Sequence, residues 1–364
     1  MSGRIVLFGA TGYTGELTAR ALVARGARPV LAARSAERLD RLAGELGGLE
    51  TQVADVTRPA SVHALVERGD VLISTVGPFA RWGAPAVEAA IAAGATYFDS
   101  TGEPAFIRRV FDDHGPSAAA AGSALLTAFG FDWIPGNLAG SLALREAGPA
   151  ATRVDIGYFG RGGGTSGGTQ DSTTGALLEP SFAYRAGRLV AERSGARVKT
   201  FRLAEGGARR AISVGGTEHF ALPQEFPHLR DVDVLLGMAG GHVRYIPAIT
   251  AAVTAVTRPA PVRKAIMSLA QRQAKGSSGG PDETARANSG STIVAIARDA
   301  DGRTLSTVTL DGVNGYTFTA DILAWGAVTA TAGGLDGAGA LGPVAAFGLD
   351  ALAQGVRDAG LARV

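Results

Sequence analysis

Glu103, Asp132 and Asp171 are the acidic residues whose surroundings suit them to moving a proton. Glu103 follows the apolar run Thr96-Tyr97-Phe98-Asp99, and Asp132 lies within Gly130-Phe131-Asp132-Trp133-Ile134-Pro135. Asp171 stands just beyond a glycine-rich stretch, 160–168. A proton donor must meet its acceptor in space, so each has a structural reading beside the catalytic one. Glu103 could cap a helix, and Asp132 could tie two domains together. Other chemistries fail on residue type or spacing. The chain has no cysteine, which excludes disulfides, thiolate metal sites and thiol nucleophiles. Its 5 histidines show no metal-ligand spacing. Gly164-Thr165-Ser166-Gly167-Gly168 has the form of a nucleophile elbow, but lacks both the strand-turn-helix context and His/Asp partners. No tyrosine has a lysine four positions on, so the Tyr/Lys proton donor of short-chain dehydrogenases is missing.

The elements that must position such acids begin at Gly9-Ala10-Thr11-Gly12-Tyr13-Thr14-Gly15. This turn separates an apolar strand, Arg4 to Phe8, from a helix-periodic run, Glu16 to Arg25. Glycines there permit a tight turn and close approach to the backbone, and first-turn amides face an anion. In that context the pattern predicts a dinucleotide pyrophosphate site. The second strand, Pro29 to Ala33, ends at Arg34-Ser35, with Arg38 one turn further on. An NAD site usually carries an acid here for the ribose hydroxyl. Arginine instead suits a 2′-phosphate, and Ser35 can cap the next helix and also donate to that phosphate. NADP is therefore the expected cofactor. Asp55, closing the third strand, could touch the adenine edge or cap the helix near Pro59. Thr75-Val76-Gly77-Pro78-Phe79 breaks the fourth strand where a nicotinamide should lie, with Phe79 read as a wall for the ring rather than a staple for the loop.

Apolar strands and helical runs alternate to Ser123–Thr127, predicting an α/β fold with a doubly wound, mostly parallel sheet. The rhythm stops after Gly130. Strand-like runs at 153–159, 197–202, 209–214, 291–297 and 304–310 then predict a mixed sheet with helices on one face. The last two form a hairpin around Asp301-Gly302. Ser166, Gly167, Gly168 and Thr169 are the candidate substrate-binding residues, offering hydroxyls and amides to a carbonyl or carboxylate. A stretch at 258–275 carries Arg258, Arg263, Lys264, Arg272 and Lys275 without an acid, and reads first as a solvated surface helix.

A chain of 364 residues favours two domains. A net charge of +2 gives no case for nucleic acid. The sequence runs straight from Met1 into a strand, so no signal peptide is expected, and no apolar run reaches the ~18 residues of a membrane span. A cytoplasmic protein is the expectation.

Together, Gly9–Gly15, Thr75–Phe79, Asp99-Ser100-Thr101-Gly102-Glu103-Pro104-Ala105-Phe106 and Gly130–Pro135 resemble the saccharopine dehydrogenase-like oxidoreductases. The likeness is closer to the actinobacterial branch that includes trans-acting enoyl reductases, and continues at Ser166–Thr169 and Tyr316–Ala320. It implies an NADP-dependent oxidoreductase with a second domain inserted after the sixth strand. Residues 1–129 would then bind the dinucleotide, 130–316 the substrate, and helices from about 317 to 364 would return to the first domain. The expected reaction is hydride transfer from NADPH to a C=C bond of an acyl-type substrate. The alternatives are reduction of an imine, with Arg161, Arg185 or Arg202 clamping a carboxylate, and an NADP sensor without catalysis. The expected partner is a small molecule, with a homodimer left open.

Overall fold

The computed structural model describes residues 3–162, 180–203, 207–238, 240–257 and 279–364. Ser166, Gly167, Gly168, Thr169, Asp171 and the basic stretch 258–275 lie outside these.

Among the described residues, seven parallel strands form the first sheet, in the order β3-β2-β1-β4-β5-β6-β15. They are β1 (Ile5–Phe8), β2 (Val30–Ala33), β3 (Thr51–Val53), β4 (Val71–Ser74), β5 (Thr96–Asp99), β6 (Ala124–Leu126) and β15 (Gly339–Ala340). Strands β1, β2 and β4 are buried at every position, which is why their sequences read as unbroken apolar runs. Leu7 of β1 registers with Leu31 on one side and Ile73 on the other. The strand order therefore reverses between β1 and β4, and a crevice opens there at the carboxyl ends. Helix α1 (Tyr13–Ala24) follows β1, and α2 (Ala36–Glu45) follows β2.

The second sheet has nine strands among the described residues. Its centre is β7 (Arg153–Arg161), with β12 (Asp231–Met238) parallel on one side and β13 (Gly290–Arg298) antiparallel on the other. The expected hairpin is present, β13 pairing with β14 (Thr304–Val313). The strands β8 (Phe182–Arg185), β9 (Arg188–Ala191) and β12 were absent from the sequence reading. The alternation Asp231-Val232-Asp233-Val234 was the available signal for β12. Strands β10 (Val198–Arg202) and β11 (Ala208–Ser213) complete that edge. Helix α3 (Ile134–Ala147) leaves the first sheet and packs on β7, β13 and β14.

Helix α4 (Gly315–Thr331) returns to the first sheet, packing on α1. It starts at Gly315, because Asn314 accepts from the amides of Tyr316 and Thr317 and caps it. Two further helices follow, Pro343–Phe347 and Leu349–Asp358, divided at Gly348 with φ 75°. The return to the first domain is incomplete: β16 (Leu361–Arg363) pairs with β14 in the second sheet.

Candidate functional site

The phosphate turn is shaped by two close approaches. Gly9 has φ 91°, and a Cβ there would stand 2.6 Å from Thr75 Oγ1. At Gly15 a Cβ would meet the Gly9 carbonyl oxygen at 2.2 Å. Only glycine lets α1 start this close to β1. The Gly9 and Ala10 amides donate to the Ala32 carbonyl at 2.8 and 3.1 Å, and Thr75 Oγ1 donates to the carbonyls of Phe8 and Gly9. Gly12 holds the N-cap position, its amide turned back to Gly9 at 2.9 Å. Thr11, Tyr13 and Thr14 thus surround the helix start, whose first amides have no intrahelical partners and suit a pyrophosphate. The Tyr13 hydroxyl is occupied elsewhere, donating to Pro281 O at 2.6 Å, so Tyr13 offers the turn its backbone.

Arg34 is exposed at the end of β2 and has no ion-pair partner among the described residues. Ser35 caps α2 by accepting from the Arg38 amide at 3.4 Å. The Arg38 guanidinium reaches back to the Thr11 carbonyl and lies 3.7 Å from Glu16, which ties the ribose end of the site to the phosphate turn. Asp55 caps no helix. Its Oδ1 accepts from the Thr57 amide and hydroxyl, both at 2.8 Å, and the cap position of the next helix belongs to Arg58. These two hydrogen bonds, with Arg34 and Arg58 adding charge, hold the Asp55 carboxyl below its ordinary range. Arg58 is thus a second cation at this end that the sequence reading missed; its position one residue before Pro59 gave no signal.

At the nicotinamide end, Thr75, Val76, Gly77 and Pro78 are half-buried. Phe79 corrects the expectation of a wall: its ring is 5% exposed and packs into the core against Phe106 at 5.7 Å. It staples the loop. Glu103 is buried, and its two oxygens accept from the Phe79 and Ala80 amides, each at 2.8 Å. That engages the carboxylate in capping the start of the short helix Phe79–Trp82 and in holding the loop before it.

Asp132 is the acid with reach. It is partly exposed, and a Cβ on Gly102, in the loop after β5, would stand 2.9 Å from its Oδ2. No hydrogen bond holds its carboxylate among the described residues. The surrounding protein desolvates it and lifts its pKa to about 6. Behind it lies a buried polar group outside the sequence reading. The Tyr158 hydroxyl accepts from the Gly136 amide at 2.8 Å and meets Glu218 Oε1 at 2.6 Å. Glu218 is fully buried; desolvation, with a further contribution from Asp132, pushes it up to about 8 against the opposing hydrogen bond of Tyr158. Glu218 Oε2, Trp133 Nε1 and Asn137 Oδ1 lack hydrogen-bond partners among the described residues. No motif surrounds Glu218 in the sequence; only the packing of its helix against α3 brings it to Tyr158.

The arginines considered as carboxylate clamps are mostly engaged. Arg161 forms a two-pronged pair with Asp311, and Arg185 pairs with Asp233. Arg202 is exposed on β10. Among the described residues no cluster of His, Asp or Glu could hold a metal, and no helix is long and apolar enough to cross a membrane.

Residues 5–126 match the family model of the saccharopine dehydrogenase NADP binding domain. A trans-acting enoyl reductase of Mycobacterium leprae is 43% identical over 140 residues, covering 37% of this chain and 34% of that protein. A putative trans-acting enoyl reductase of Mycobacterium tuberculosis is 42% identical over 140 residues, covering 37% and 33%. The chain thus aligns with about a third of the length of these relatives. Apo saccharopine dehydrogenase (L-Glu forming) from Saccharomyces cerevisiae shares the fold along 100% of this chain and 99% of its own, with a TM-score of 0.61 and 15% identity. The close packing at Gly9 and Gly15 sets the start of α1, with its free first-turn amides, against the end of β1, and Arg34 supplies charge for a 2′-phosphate, so the residues present fit NADP. Residues 5–126 accordingly belong to the saccharopine dehydrogenase NADP-binding domain family, and NADP is the cofactor that this part of the chain is built to hold.

Proposed function

We propose that the chain is an NADPH-dependent reductase of a C=C bond conjugated to an acyl carbonyl, with Asp132 as the proton donor. The observation that carries this reading is the unpartnered Asp132 carboxyl, raised to about 6, beside the loop after β5. Bound NADPH supplies a hydride to the β-carbon. The protonated Asp132 then gives its proton to the α-carbon, and the carboxylate left behind regains one from water. Glu103 serves the reaction indirectly, by fixing the 75–80 backbone. Ser166, Gly167, Gly168 and Thr169 remain the proposed substrate-binding residues. Two things favour an enoyl over an amino-acid-derived imine. Arg161 and Arg185 already hold aspartates, and the mycobacterial relatives are named enoyl reductases.

The test follows NADPH oxidation by the full chain against enoyl thioesters and cyclic imines. Enoyl thioesters should be reduced, and Asp132→Asn should lower kcat by about 10²–10⁴-fold with NADPH affinity unchanged. Because the donor must be protonated, kcat/KM should fall as pH rises through about 6, and this limb should vanish in Asp132→Asn. Turnover of imines alone would overturn the reading. NADPH binding without turnover of either class would leave the sensor.

A further inference from the structure

The second domain closes over the phosphate turn at a point outside the matched domain. Tyr13, the first residue of α1, donates its hydroxyl to Pro281 O at 2.6 Å. Arg286 Nη1 donates to the same hydroxyl at 3.2 Å and to Pro281 O at 2.8 Å. Gly280 lies flat on the Tyr13 ring, where a Cβ would fall 2.6 Å from ring atoms. Tyr316 packs edge-on to the same ring at 5.1 Å. The short helix Glu283–Ala287 is held from both ends. Asp282 caps it through the Ala285 amide at 2.8 Å, and Asn314, the cap of α4, donates to Arg286 O at 3.0 Å.

This clasp fixes a half-buried guanidinium beside the start of α1. Arg286 has no carboxylate partner among the described residues, and only its Nη1 is hydrogen-bonded to protein. A guanidinium carries five donors, so most of this one is unspent. The helix start next to it carries positive dipole charge and free amides. An anion at the helix start would be attracted by both the amides and this guanidinium. The negative residue of that helix turn, Glu16, is drawn off toward Arg38.

We propose that Arg286 is a cofactor-binding residue supplied by the second domain, and that it faces the diphosphate of the dinucleotide. Arg34 reads the 2′-phosphate and selects NADP over NAD. Arg286 reads the diphosphate that both dinucleotides share. The inference rests on the NADP-binding domain and is independent of the substrate.

The test is equilibrium binding to the full chain, with NADPH, NADH and 2′-AMP as probes. Arg286→Ala should weaken NADPH and NADH by the same factor, about tenfold or more, and leave 2′-AMP unchanged, because that probe has no diphosphate. The salt dependence of NADPH binding should become shallower. Arg286→Lys, which keeps the charge, should restore much of the loss. If Arg286→Ala leaves NADPH affinity intact while its circular dichroism is native, the proposal is wrong. It is equally wrong if 2′-AMP binding falls in parallel, since the clasp would then be structural. Loss of the 2′-phosphate preference alone would point away from the diphosphate and also count against it. Should Arg286→Ala fail to fold, Arg286→Gln carries the same comparison.

Discussion

The proposed 2′-phosphate reader Arg34 and the proposed proton donor Asp132 have in common that the side chain of neither forms a hydrogen bond or ion pair among the described residues. Arg34 is exposed at the end of β2 with Asp55 as a neighbouring charge, and the Asp132 carboxyl lies beside Gly102. For Arg34 the consequence is cofactor choice. Arg34→Glu replaces a charge-assisted donor by a repelling group, so NADPH affinity should fall at least about tenfold relative to NADH. Equal affinities for the two before and after the change would remove the 2′-phosphate assignment. Glu218 is the opposite case, a carboxyl shut away from both water and cations. Its folded pKa of about 8 lies above the ordinary 4.5. The folded state therefore keeps a proton that the unfolded chain releases first. This group's contribution is fully present below about 4.5, declines as pH rises, and is gone above about 8. Glu218→Gln cannot ionise, so denaturant melts over that range should show a flatter pH dependence than wild type. Parallel curves would mean that Glu218 is charged in the folded protein.

At the scale of elements, the loop after β4 shows how a carboxylate can matter without touching a substrate. Phe79 in the core, the Glu103 carboxylate under two amides and the Thr75 hydroxyl on the Phe8 and Gly9 carbonyls set the loop. Glu103→Ala leaves a buried amide unsatisfied, at a cost of about 1–3 kcal/mol. It should also weaken NADPH binding by releasing the 76–78 backbone. Urea denaturation and cofactor titration read the two effects. A variant with normal stability and normal affinity but low kcat would return Glu103 to a chemical role. The sequence places Glu103 correctly after β5, yet where its oxygens point depends on a loop 24 residues away.

At the scale of the molecule, the two sheets share one core. A single buried cluster runs from Leu7 and Ile73 through Phe129, Trp133 and Leu138 to Ile156, Val232 and Ile293. Helix α4 belongs to it through Phe318, Ile322 and Leu323. Burying those three side chains is worth roughly 5–9 kcal/mol, on the order of a whole domain's net stability. A fragment of residues 1–129 should therefore lack a cooperative thermal transition, although it contains the complete matched domain. Adding residues 315–364 in trans should restore it. A sharp melt for the fragment alone would show that α4 is dispensable.

Local chemistry was legible in the sequence because it is local. Strand, glycine turn and helix start are contiguous, so the turn Gly9 to Gly15 between β1 and α1 can be read directly, and Arg34 follows at the end of the next strand. The same holds for the apolar runs β1, β2 and β4, whose burial on both faces leaves an unbroken signature. Tertiary structure decided everything that depends on a second segment. It turned Phe79 inward, engaged Glu103 with two amides, joined Tyr158 to Glu218 across 60 residues, and laid Arg286 against Tyr13 across 273. Residue type fixes what a side chain is able to do; which partner it meets is set by packing between elements far apart in the chain, and no spacing along the sequence encodes that meeting.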